Sequence, residues 1–91
     1  MKPVKFRARA IKNINIQIAY FEENAPHVVE PFRQDMRSTI SLIQTFPFIG
    51  HKGDVENTLE IVSVKFRFII VYTVEENYLD IIRVFFRGQN R

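Results

Sequence analysis

The stretch Phe66–Phe86, FRFIIVYTVEENYLDIIRVFF, constrains this chain more than any other. Strand formers dominate both arms, and Glu75-Glu76-Asn77 between them are turn residues. The pattern predicts two long antiparallel strands. A three-residue loop sets Val74 opposite Tyr78, Ile70 opposite Ile82, Phe68 opposite Val84 and Arg67 opposite Phe85. Even-numbered residues then share one face: Phe66, Phe68, Ile70, Tyr72, Ile82, Val84 and Phe86. The other face carries Arg67, Ile69, Val71, Ile81, Arg83 and Phe85, while Asp80 takes the even parity. A one-residue slip would set Arg83 across from Ile70, on the face that should be core. The even face needs a cover. The odd face is half apolar and half cationic, which is unusual for a plain solvent face.

The remaining residues supply that cover. Val4–Arg9 alternates apolar and basic residues, which predicts a short strand with Pro3 just before it. Ala8–Asn24 fits two periods: Ile14, Ile16 and Ile18 alternate, whereas Ile11, Ile14, Ile18 and Phe21 have helical spacing. A stretch of this length without Gly or Pro favours a helix, ended by Asn24-Ala25-Pro26. His27–Phe46 is a clearer helix, with Val29, Phe32, Met36, Ile40 and Ile43 on one stripe. Pro31 is tolerated only in a first turn, so this helix starts near Val28–Glu30 or kinks there. Phe46-Pro47-Phe48-Ile49-Gly50 ends it, and His51–Asn57 reads as a polar loop. Thr58–Val64 alternates as a further strand, and Ser63–Lys65 turns into the hairpin.

The predicted order is strand, helix, helix, then three strands. The expected fold is α+β: an antiparallel four-stranded sheet with an N-terminal helical hairpin packed on one face. One domain, 1–91, is expected, because 91 residues support a single core.

Composition narrows the function classes. The chain has no Cys, which removes thiolate and disulfide chemistry. Its two histidines, His27 and His51, sit at helix-end or loop positions without carboxylates at ligand spacing. No metal, cofactor or catalytic triad is expected. Gly50 and Gly53 are too isolated for a phosphate loop. Tyr72 falls on the core face and reads as structural. The N-terminus MKPVKFRARAIK lacks the apolar core of a signal peptide, and no apolar run approaches ~20 residues. A cytoplasmic protein with no membrane partner is expected. Net charge is +3, and its distribution is uneven: both ends are basic and the acids lie between. Such ends can attract nucleic acid or acidic protein, or simply keep the chain soluble.

The whole chain resembles the RelE/ParE superfamily of small toxins from bacterial toxin–antitoxin pairs. The resemblance rests on Arg9-Ala10, Tyr20, Asn24-Ala25-Pro26, the turn Phe46-Pro47-Phe48-Ile49-Gly50, the strand FRFIIVYTV and the ending IIRVFFRGQNR. It implies the same helical hairpin on a sheet, and it decides Ala8–Asn24 in favour of helix. RelE-like members cut mRNA on the ribosome, using strand lysines, arginines and a C-terminal tyrosine. Here Thr58-Leu59-Glu60-Ile61-Val62 holds an acid and no lysine, and no tyrosine follows Tyr78. Arg87 alone matches a family arginine. ParE-like members instead bind DNA gyrase, and IIRVFFRGQNR is similar to that branch. Many relatives carry His at the position of Phe86 and Arg within the stretch matching Asn57-Thr58-Leu59; this chain has neither.

The resemblance therefore implies a ParE-like toxin of a plasmid-stabilising pair, a binding poison rather than an enzyme. Its partners are a cognate antitoxin and DNA gyrase, with direct nucleic-acid binding and self-association open. The alternatives are a RelE-like ribosome-dependent endoribonuclease, or a non-toxic member that binds only its antitoxin. Arg67, Arg83 and Arg87 are the expected target-binding residues, with Arg67 stacked on Phe85. Ile69, Val71, Ile81 and Phe85 form the expected antitoxin surface, as an exposed apolar patch.

Overall fold

The structure, a computed structural model, describes residues 1–86. Strand β1 (Val4–Phe6) leads into helix α1 (Ala8–Asn24), a single 3-10 turn (Pro26–Val28) and helix α2 (Val29–Thr45). Strands β2 (His51–Lys52), β3 (Leu59–Val62), β4 (Ile69–Val74) and β5 (Leu79–Phe85) follow. Both helices match their expected positions. Because α2 begins at Val29, Pro31 falls in its first turn, where its missing N–H has no helical acceptor to lose.

The sheet differs from expectation in strand number and direction. It has five strands in the order β1-β5-β4-β3-β2. β1 runs parallel to β5, and the other neighbours are antiparallel, so the sheet is mixed. The extra strand, β2, lies in the stretch read as a polar loop. Two residues are too few to show alternation. The direction of β1 depends on a pairing more than seventy residues away, which local periodicity cannot report.

The hairpin register also differs. Val74 pairs with Leu79 across a four-residue connection, and the Glu75 N–H donates to the Tyr78 carbonyl at 2.9 Å. Tyr72 then pairs with Ile81, but Val71 pairs with Arg83. Ile82 is therefore an extra residue, a β-bulge. The bulge reverses the parity of β5 partway along. Leu79 and Ile81 are fully buried in the core, as is Val84 beyond the bulge. Ile82 turns to the opposite face. Asp80 also emerges there, where its Oδ2 accepts from Arg7 Nε at 3.0 Å and Nη2 at 2.9 Å.

The helices cover one face of the sheet. Ala10, Ile14, Ile18 and Phe21 of α1 meet Phe32, Met36 and Ile43 of α2 above Phe68, Ile70, Tyr72, Leu79, Ile81 and Val84. Ile16 is exposed, which excludes the strand-like alternation of α1. Phe32 lies at the centre, 5.4–5.8 Å from the rings of Phe21, Phe66, Phe68 and Phe86. Beyond β1, the open edge of β5 is met by α1: Asn13 Oδ1 accepts from the Val84 N–H at 3.1 Å. Asp35, buried on α2, accepts from Phe66 N–H at 2.8 Å and so ties the β3–β4 connection to the helix. Replacing Phe32 with Ala should destabilise the fold by about 3–5 kcal/mol, through lost burial and the cavity left behind. Urea unfolding checks this.

Tyr72 is buried, as the sequence predicts. Its hydroxyl donates to the Pro47 carbonyl at 2.7 Å and accepts from the Gly50 N–H at 3.2 Å. A side chain at Gly50 would put its Cβ 2.8 Å from that hydroxyl and 2.9 Å from the Glu60 carbonyl, so only glycine fits. Burial raises the Tyr72 pKa above its ordinary value of 10.0, and the Gly50 hydrogen bond opposes this weakly. The native state then holds its proton more tightly than the unfolded chain. Stability is unaffected below about pH 10 and falls as pH rises beyond it. Tyr72→Phe should cost about 1 kcal/mol at neutral pH by removing these bonds. It should also flatten the alkaline fall, as measured by urea midpoints between pH 8 and 11.

Candidate functional site

The face away from the helices holds the candidate site. Glu60, Val71 and Arg83 are direct neighbours across β3, β4 and β5. At a strand spacing of about 4.8 Å, the Glu60 and Arg83 backbones stand roughly 10 Å apart. Between and beside them lies a pocket of about 280 Å³, lined by Asp54, Val55, Thr58, Glu60, Val71, Ile82, Arg83 and Phe85. Its apolar walls come from the sheet and its acidic side from β3 and the β2–β3 loop.

The loop 53–58 builds one wall. The Gly53 N–H donates to the Thr58 carbonyl at 2.9 Å, and the Thr58 hydroxyl donates to the Val55 carbonyl. Asn57 has a left-handed φ of 68°, which closes the turn. The loop backbone then reaches Glu60: the Asp54 N–H lies 3.5 Å from Oε2. His51 Nε2 lies 3.7 Å from Oε1. Glu60 itself is 4% exposed. A Cβ at Gly53 would come within 2.3 Å of Thr58 Oγ1. Gly53→Ala should therefore destabilise the chain by about 1–3 kcal/mol through overpacking. Adding Thr58→Ala should recover part of that loss in thermal unfolding.

Arg83 forms the cationic side. Its guanidinium carbon lies 4.0 Å from the centre of the Phe85 ring. Arg67, expected to make this stack, does not. It lies outside β4, exposed, with a left-handed φ of 60° in the β3–β4 connection. The positive φ breaks the alternation that would have set it across from Phe85. Ile69 takes that place in the register. Arg87 lies outside the described residues.

The expected antitoxin patch is changed in the same way. Ile81 is 0% exposed in the core, because the bulge reverses its face, so it is withdrawn from any contact surface. Val71 and Phe85 do lie on the outer face but are 6% and 7% exposed. Ile69 and Ile82 are half-buried. Sequence reasoning missed Ile82, Asp54 and Glu60 as parts of one site. The one available signal was Gly53 among acids ahead of a short strand.

Other cations are already engaged. Arg7 pairs with Asp80, and this hydrogen bond raises the Arg7 pKa further above its ordinary value. Lys5 Nζ lies 4.3 Å above the Tyr78 ring. Arg33 and Arg37 lie 3.6 and 3.7 Å from Glu30 on α2. Among the described residues, no group of three His, Cys, Asp or Glu is placed to hold a metal ion. No described helix is long and apolar enough to cross a membrane.

Residues 4–91 match the family described as ParE toxin of type II toxin-antitoxin system, parDE. The match spans nearly the whole chain, and the chain belongs to that family. A chain of the chromosomal ParDE toxin–antitoxin system from P. aeruginosa has a similar fold, with a TM-score of 0.81. It is 15% identical, and the match covers 94% of this chain and 96% of that one. A conserved hypothetical protein from Helicobacter pylori, solved in solution, gives a TM-score of 0.63 at 17% identity, over 98% of both chains. No curated protein matched the sequence.

Proposed function

We propose that this ParE-family chain is the toxin of a type II pair, acts by binding DNA gyrase, and is neutralised by a cognate antitoxin. The observation that carries the binding mechanism is the place of Glu60. It lies buried in the same cross-strand row as Arg83, at the middle of the outer face. Metal-free cleavage of RNA needs cations around the developing phosphorane, and a carboxylate there raises the barrier. The same face suits recognition better. It combines a guanidinium fixed on an aromatic ring with apolar walls, and Arg and aromatics are enriched in interface centres.

In this reading Arg83 meets the target, and Arg67 and Arg87 are proposed to add to the same contact. The antitoxin covers the half-buried Ile69 and Ile82 and extends onto the helical hairpin. The cytoplasm is where both partners would be met.

Replacing Arg83 and Arg87 with Ala should leave the chain folded, as checked by circular dichroism, because Arg83 lies on the outer face and not in the core. It should abolish growth arrest and inhibition of purified gyrase in a supercoiling assay, while antitoxin binding persists. Codon-specific cuts in a toeprint of translating ribosomes would instead support the ribonuclease reading. A fully toxic double mutant would move the target site elsewhere.

A further inference from the structure

Phe85 was expected to meet a partner, but it is 7% exposed and has little surface to offer. What lies on its ring is Arg83, at 4.0 Å. The two residues are two positions apart on β5 and so project to the same face. The bulge at Ile82 sets that face outward rather than into the core. Phe85 is itself held in place: it pairs with Ile69 in the sheet, and with Val71 it walls the pocket. A ring within about 6 Å attracts a guanidinium through its quadrupole. A long, flexible cation is thereby held over a fixed surface.

We infer that Phe85 is a positioning residue for Arg83: it holds the guanidinium at the rim of the outer pocket, in the pose that meets the target. This rests on the proposed role of Arg83 in target binding. A guanidinium oriented in advance loses less freedom when it binds. The contribution of Phe85 to binding then runs through Arg83 and nothing else.

A double-mutant cycle tests this, with purified DNA gyrase as the probe. Phe85→Leu alone should weaken binding roughly two- to fivefold, the scale of a surface cation–π contact. In the Arg83→Ala background it should cause no further loss. Phe85→Tyr keeps the ring and should keep wild-type affinity, which separates ring removal from misfolding. Additive losses would overturn the inference, because Phe85 would then act on the target or the fold directly. A second measurement needs no target. In the free chain, the Arg83 side-chain N–H resonance should be shifted upfield by the ring, in Phe85→Tyr as in wild type, and not in Phe85→Leu. Absence of that shift in wild type overturns the inference and leaves the gyrase reading standing. With the shift present and no gyrase binding by wild type, the target reading falls and takes the positioning role with it.

Discussion

One extra residue in β5 decides how this molecule divides inside from outside. Without the bulge at Ile82, alternation would carry Ile81 outward or drive Arg83 inward. With it, Leu79, Ile81 and Val84 all enter the core, while Asp80, Ile82, Arg83 and Phe85 all reach the opposite face. Two separate consequences follow. On the first half of the strand, Asp80 is delivered to Arg7 and fastens the parallel strand β1 to the sheet. On the second half, Arg83 and Phe85 come to stand together at the outer pocket. Beyond Ile81, β5 has no described strand on its outer side. The Val84 N–H, on the edge that β1 no longer covers, is met by Asn13. A polar side chain on the inner side of α1 thus satisfies a donor on the stretch of β5 edge that β1 leaves open.

The core is held by apolar contact and by a few buried polar groups with assigned tasks. Phe32 links both helices to the sheet through edge-to-face and tilted ring contacts. Asp35 sits one helical turn along α2 from that ring and is 4% exposed. A carboxylate buried there is tolerated because it accepts backbone N–H groups from the β3–β4 connection. Tyr72 does the same for the turn after α2, through Pro47 and Gly50. Each polar contact joins a helix or a strand to a loop that local propensity would leave unconstrained.

Much of this was legible in the sequence. The helical stripe from Phe32 to Ile43, the limit set by Pro31 and the burial of Tyr72 follow from period and residue type. Ala8–Asn24 needed more than periodicity, since its isoleucines satisfy two periods at once. The misses share one physical cause. Strand period carries no information about an inserted residue, a positive φ or the direction of a distant partner. Ile81 was placed outward because parity was carried through a bulge, and Arg67 was placed in a strand that its φ of 60° excludes. β2 is defined only by what it pairs with, so His51 and Lys52 looked like loop. The pocket was illegible for the same reason: its acids come from β3 and the loop before it, and its cation from β5.

Charge on this surface is divided by how firmly it is held. Lys5 lies over Tyr78, Arg7 is fastened to Asp80, and Arg33 and Arg37 face Glu30. These cations still contribute to the long-range field, which speeds encounter with an acidic surface and weakens with salt. They are already committed within the fold, so they add little directional recognition. Arg67 is exposed on the β3–β4 connection. Arg83 differs from these in lying on an apolar ring, at the outer pocket that it lines together with Phe85. A flat, pre-oriented donor array recognises planar acceptors such as carboxylate or phosphate. Asp54 and Glu60 line the same pocket. In the proposed reading, such a face suits a partner that presents an acidic group flanked by neutral or apolar surface.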